Sequence, residues 1–243
     1  MRVCNVALVA LVLVASLDAS AKVRAVRHPS VTPSTPAQNC VNYGSPRIGM
    51  KASYLTTSAQ GNVTYQVTYV SETPTQERTT QKVQTPQSNA DAETRMDFEI
   101  VPASFDLKAL KHLYVKTTAS GFTIETDIDF VPSLVLGPVS GWCVGAKWTV
   151  PATTETIVAR SIVGPQTQTQ TTIAYEGEVL AIEDVTTPAG KFKCIKSKGM
   201  TASSSSTSPT ISWNSIDQYI TVRQETLDAN GAVTSVTELQ KIE

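Results

Sequence analysis

The chain has 243 residues and a net charge of −1, with 20 Lys and Arg against 21 Asp and Glu. That balance leaves no broad basic face for nucleic acid and no polybasic patch for an anionic membrane. Only 17% of residues are charged, while Thr, Ser and Val are frequent, a composition suited to the pleated surface of extended β-structure.

The first element is a secretory signal. Arg2 precedes an apolar run over residues 6–14, and Ala19-Ser20-Ala21 offers a small-residue cleavage site, so the mature chain is expected to begin at Lys22 in the periplasm or outside the cell. The run falls short of the roughly 20 residues that span a bilayer, and nothing later in the chain is longer. An uncleaved anchor is the alternative. A lipid-accepting Cys would directly follow the apolar run, whereas Cys4 precedes it and Cys40 lies far beyond. Residues 22–39, with Pro29, Pro33 and Pro36 and few large apolar side chains, read as a disordered leader.

From Cys40 onward the pattern is strand after strand. Residues 50–56 are joined through Gly61-Asn62 to a strand in which Tyr65, Val67 and Tyr69 alternate with polar residues. Met96, Phe98 and Ile100 alternate in the next. One helix is expected over residues 104–112, with Ser104 as N-cap and Leu107, Leu110 and Leu113 on one face. Strands over 114–118 and 122–130 flank the turn Ala119-Ser120-Gly121. Thr-rich strands follow over 154–163 and 169–175, then 178–185 and 191–198 around Pro188-Ala189-Gly190. A serine run over 203–206 reads as a loop tip, and strands over 211–213, 218–227 and 232–242 complete the set. The expected fold class is all-β, with curved antiparallel sheets in an open-barrel or sandwich arrangement and little helix. Gly49-Met50-Lys51 and Gly145-Ala146-Lys147 each open an aromatic-containing strand, the mark of a weak internal repeat. The division is an N-terminal β half over 40–133 and a C-terminal half over 134–243.

Candidate chemistry is sparse. Three cysteines follow the signal. Cys40 and Cys143 sit in loop-like sequence and are the expected disulfide in an oxidising compartment, while Cys194 lies within a strand; three unpaired buried cysteines are the alternative. Gly141-Trp142-Cys143-Val144-Gly145 has the form of a nucleophile elbow, but a Cys nucleophile needs a base and no His follows it. Glu125, Asp127 and Asp129 share one strand face, which reads as solvated rather than catalytic. Asp228-Ala229-Asn230-Gly231 lacks the later ligands of a calcium loop. No metal, cofactor or catalytic residue is expected.

The segment Val185-Thr186-Thr187-Pro188-Ala189-Gly190-Lys191-Phe192-Lys193-Cys194-Ile195 resembles the Pro-Ala-Gly hairpin of exported bacterial TapB-like and DUF3108-like proteins, whose function is unknown. Trp142-Cys143-Val144-Gly145-Ala146-Lys147-Trp148 looks like their opening strand, and the stretch from Gln224 to Gly231 like their closing hairpin. The resemblance covers residues 134–243 well and 47–130 loosely. It departs at 213–219, where those proteins carry a Tyr-Ala-Pro-Gly-Val-Gly-like stretch. It implies an exported curved sheet akin to the open barrel of lipoprotein carriers, and no catalytic residues.

Two functions fit. The first is a non-catalytic carrier whose aromatics Tyr65, Tyr69, Phe98, Phe122, Phe130 and Trp148 line a groove for an apolar molecule. The second is an envelope or appendage assembly protein that pairs with a partner at an open sheet edge.

Overall fold

A computed structural model describes residues 40–243 apart from 86–87, 102–106, 139–140, 162–163, 204–206 and 219. The signal, the leader and Ser104 lie outside the described residues. The first unit of the chain comprises β1 (Cys40–Val41), β2 (Lys51–Ser58), β3 (Gly61–Thr73), β4 (Gln76–Gln84), β5 (Asn89–Val101), β6 (Leu107–Ala119) and β7 (Phe122–Pro138). The second comprises β8 (Trp142–Cys143), β9 (Lys147–Ser161), β10 (Thr167–Thr187), β11 (Gly190–Ser203), β12 (Thr207–Ser215), β13 (Thr221–Leu227) and β14 (Val233–Ile242).

Strands β1 and β8 form a small two-stranded ribbon. The other strands make one closed antiparallel barrel in which each pairs with its neighbours in sequence. Two seams complete it: β14 pairs with β2, and β7 pairs with β9 across the β8 ribbon. The boundary expected at 133/134 falls inside β7, and the sheet runs unbroken across it. The barrel is closed rather than open.

Turn chemistry shapes the hairpins. Ser120 and Gly121 both take positive φ, 51° and 80°, as a two-residue hairpin turn twisted to match its strands requires. In the last hairpin the Asp228 carboxylate accepts N–H bonds from Asn230 and Ala232, each at 2.8 Å. That side chain serves the turn.

Alternating side chains turn inward into separate apolar clusters. One gathers Met50 with Ala52 and Tyr54 of β2 and with Cys194, Trp213, Val222 and Leu239. A second holds Phe98, Leu110, Leu113, Val115, Ile128, Phe130 and Ile173. A third joins Trp142, Trp148, Val179 and Ile195.

The expected helix is not formed: residues 107–112 open β6, paired to β5 and β7. The three-residue spacing of Leu110 and Leu113 comes from a β-bulge between Leu110 and His112, where Lys111 is the extra residue of β6. A bulge reverses which face a strand residue points to, so an odd spacing returns to the core. Strand β4 carries Val83 as its one large aliphatic residue and buries Thr79 and Gln81 instead, so apolar alternation does not reveal it. The strands expected over 169–175 and 178–185 are one 21-residue strand, β10. Gly177 lies within it because a Cβ there would stand 2.1 Å from the Trp148 ring.

Candidate functional site

The chain entering β2 is fastened to the barrel by the ribbon. Cys40 and Cys143 are joined by a disulfide, and Val41 pairs with Trp142. Beyond it the Asn42 side chain accepts the Gly141 N–H at 2.7 Å. The Gly44 N–H donates to the Ile216 carbonyl at 2.7 Å. Only glycine fits there, since a Cβ would lie 2.0 Å from the Asp217 carbonyl oxygen. The Tyr43 ring meets Trp142 edge-on at 4.9 Å, and Trp142 meets Trp148 at 5.6 Å. Residues 42–48 are thereby held as a wall standing off the barrel end.

Between this wall and the ends of β5, β6 and β7 lies a cleft of about 450 Å³. Tyr43, Pro46 and Ile48 line it from the wall, Glu72 and Pro74 from the β3–β4 turn, and Ile100 and Lys108 from β5 and β6. Leu136, Pro138 and Trp142 complete it. Ile48 and Ile100 are 55% and 39% exposed, an apolar surface left open to water. Lys108 places its ammonium 4.0 Å from the centre of the Phe98 ring, within cation–π range. Nearby Glu77 has its carboxyl raised above the ordinary range, first by burial, with Lys108 opposing and Glu72 reinforcing.

The six expected groove aromatics are not brought together. Tyr65 and Tyr69 pack against the Met50 cluster, Phe98 and Phe130 belong to the Phe98–Ile173 cluster, and Trp148 to the Trp142 cluster. Phe122 stands 47% exposed at the start of β7. For the five in clusters barrel closure is the cause: their side chains become interior and meet core partners. The cleft residues that sequence reading missed are Tyr43, Ile48, Lys108, Leu136 and Trp142. Their signal was apolar residues beside Pro46, Pro74 and Pro138, where strands end.

The remaining candidates are otherwise engaged. Cys143 is committed to the disulfide, and buried Cys194 has its thiol pushed up to about 12 by burial and by Asp184 and Glu183. Asp129 pairs with His112 at 2.8 Å, and Asp127 lies 3.4 Å from the other ring nitrogen and also pairs with Arg160. Among the described residues no cluster of His, Cys, Asp or Glu could hold a metal ion, and no helix is long and apolar enough to cross a membrane.

The fold is a closed β-barrel with a cleft at its rim lined largely by apolar residues. Residues 147–239 match the DUF3108-like family model, which therefore spans β9 to most of β14. No curated protein matches the chain. Two solved structures are similar in fold. One is a Bacteroides fragilis protein assigned as exported, with a YmcC-like fold: 12% identity, TM-score 0.40, covering 84% of this chain and 100% of that one. The other is a Parabacteroides distasonis protein assigned as a lipoprotein: 15% identity, TM-score 0.45, covering 85% of this chain and 100% of that one.

Proposed function

We propose that this is an exported, non-catalytic binding protein that holds a small apolar molecule in the cleft beside the Cys40–Cys143 disulfide. The observation that carries the reading is the concave, partly exposed apolar surface of Ile48, Ile100, Pro46 and Pro138 around a volume of about 450 Å³. Ligand sites are typically apolar concavities of about 300–1,000 Å³ with a few polar groups. Lys108 and Glu72 supply such groups at the rim. Export is supported by the signal-like residues 1–21 and by a disulfide, which persists in oxidising compartments. The strand-addition reading has a narrower basis, because the main sheet closes on itself and leaves edges only where strand ends outrun a partner, as in β5 beyond the Gln76–Asp97 pair.

The test is titration of the purified chain with Nile red, a neutral apolar dye that fluoresces when desolvated. Saturable one-site binding, weakened at least tenfold by Ile48→Asp, is expected. A wild-type chain that leaves the dye dark, or an Ile48→Asp chain that binds it as well, would remove this reading.

A further inference from the structure

The two units of the barrel open with the same bonds and keep matching registers along their hairpins. Gly49 and Gly145 both take left-handed φ, 84° and 86°. Each closes the same turn: Met50 N–H to the Arg47 carbonyl at 2.9 Å in one, Ala146 N–H to the Cys143 carbonyl at 3.0 Å in the other. Each glycine N–H then reaches the following hairpin strand, Gly49 to Tyr69 and Gly145 to Val179, both at 2.8 Å. Tyr54 faces Tyr65 as Val150 faces Tyr175. A bulge follows at the matching place in both, between Tyr69 and Ser71 and between Val179 and Ala181. The pairs Gln76–Asp97 and Arg78–Arg95 answer to Cys194–Ser215 and Lys196–Trp213. Further on, Arg95–Tyr114 and Tyr114–Asp127 answer to Trp213–Arg223 and Arg223–Glu238.

We infer that β2–β7 and β9–β14 are two copies of one six-stranded unit, and that the cleft was added to the first copy as its specificity-determining part. The family match covers only the second copy, so the first is a diverged DUF3108-like unit. Each copy carries one extension of its own. In the second it is the Pro-Ala-Gly hairpin, which continues from Glu183–Cys194 to Thr187–Gly190, whereas the first copy's hairpin ends at the matching pair Thr73–Gln76. Val185, Ala189 and Phe192 of that extension pack on the Met50 cluster, so it closes the core.

In the first copy the extension is in β5, β6 and β7, which run 13, 13 and 17 residues against 9, 7 and 10 for β12, β13 and β14. Ile100 and Lys108 lie beyond the Asp97–His112 pair, and Leu136 and Pro138 lie far beyond Asp127, so these cleft residues have no counterpart in the second copy. Leu110, Leu134 and Leu136 of this extension pack on the Phe98 cluster, whereas Ile100 is left 39% exposed in the cleft, where it can meet a ligand. The occupant is the small apolar molecule of the preceding section, on which this part of the inference rests. The concavity, about 450 Å³, is of small-molecule size.

The experiment shortens the first copy. Phe98 faces Leu110 in register, so replacing residues 99–109 with Asn-Gly closes β5 onto β6 as a tight hairpin and leaves the Phe98 cluster in place. The shortened full-length chain is expected to keep a cooperative melt and a native near-ultraviolet spectrum while binding Nile red at least tenfold more weakly. A folded shortened chain that binds like wild type overturns the inference. If shortening abolishes folding, the decision passes to two point variants at exposed positions, Ile100→Asp and Val233→Asp. A tenfold loss in the first alone sustains it, and equal behaviour of the two overturns it. Should the wild-type chain not bind the dye at all, the ligand reading falls while a folded shortened chain still supports the repeat.

Discussion

At the residue scale, the informative side chains are those that the closed barrel forces into unusual surroundings. Glu155 on β9 is 2% exposed between Phe130 and Thr171, and one carboxylate oxygen finds no hydrogen-bond partner among the described residues. Burial raises its pKa, because a low-dielectric interior disfavours the charged form. The unfolded chain therefore loses this proton at lower pH than the folded chain. The stability that Glu155 permits is fully present below the unfolded pKa and is lost as pH rises through the folded value. Glu155→Gln should accordingly unfold at higher urea concentration than wild type at pH 8, with the gain shrinking at pH 4. No difference at pH 8 would show the carboxylate to be solvated. Gly177→Ala tests the opposite case of an overfilled site. Its Cβ would sit 2.1 Å from the Trp148 ring, and overpacking of this kind costs about 1–3 kcal/mol or more. A thermal melt unchanged within error would mean that Trp148 can move aside.

At the element scale, the β1–β8 ribbon matters out of proportion to its length. It pins residues 42–48 through the disulfide, the Asn42–Gly141 bond and the Tyr43–Trp142 contact. The disulfide spans 103 residues of sequence, and removing a native disulfide costs about 2–5 kcal/mol, chiefly by freeing the unfolded chain. The Cys40→Ser, Cys143→Ser double variant should lose stability in that range in urea unfolding. It should also bind Nile red more weakly, because the cleft wall loses its anchor. Full dye affinity in the double variant would show that Gly44 and Tyr43 hold the wall alone. Element boundaries also show where sequence periodicity misleads. Leu110 and Leu113 of β6 keep a helical spacing because a bulge at Lys111 resets the face, and β4 hides behind Thr and Gln that the barrel buries.

At the scale of the whole molecule, two repeated units share one sheet. The seams β14–β2 and β7–β9 are antiparallel ladders of seven and eight pairs, the first with one bulge between Leu239 and Lys241, and the Lys51 and Glu243 backbones exchange two bonds of 2.9 Å where the barrel closes. Two units joined in this way cannot melt independently without exposing strand edges along both seams. Calorimetry should therefore record one transition whose van't Hoff and calorimetric enthalpies agree, the mark of two-state unfolding. Two resolved transitions would mean that the seams are weak and that each unit stands as its own domain.

The sequence by itself determined the all-β class, most strands, the turn at Ser120-Gly121 and the resemblance of the C-terminal half to DUF3108-like proteins. These follow from local signals: alternation of apolar residues, β-branched composition and turn residues with a preference for positive φ. The paired openings at Gly49 and Gly145 were visible as a faint similarity, but only the registers of the following strands show how far the likeness runs. Closure of the barrel was decided by tertiary structure alone, because it depends on which distant strands meet, and alternation does not encode that. The site followed closure. Tyr65, Phe98 and Trp148 carry the same strand pattern whether they line a groove or fill a core, and closing the sheet put them inside. Ile48 and Ile100 became the exposed apolar pair because they lie past the strand ends, where a disulfide between residues far apart in the chain sets a wall opposite the extended strands.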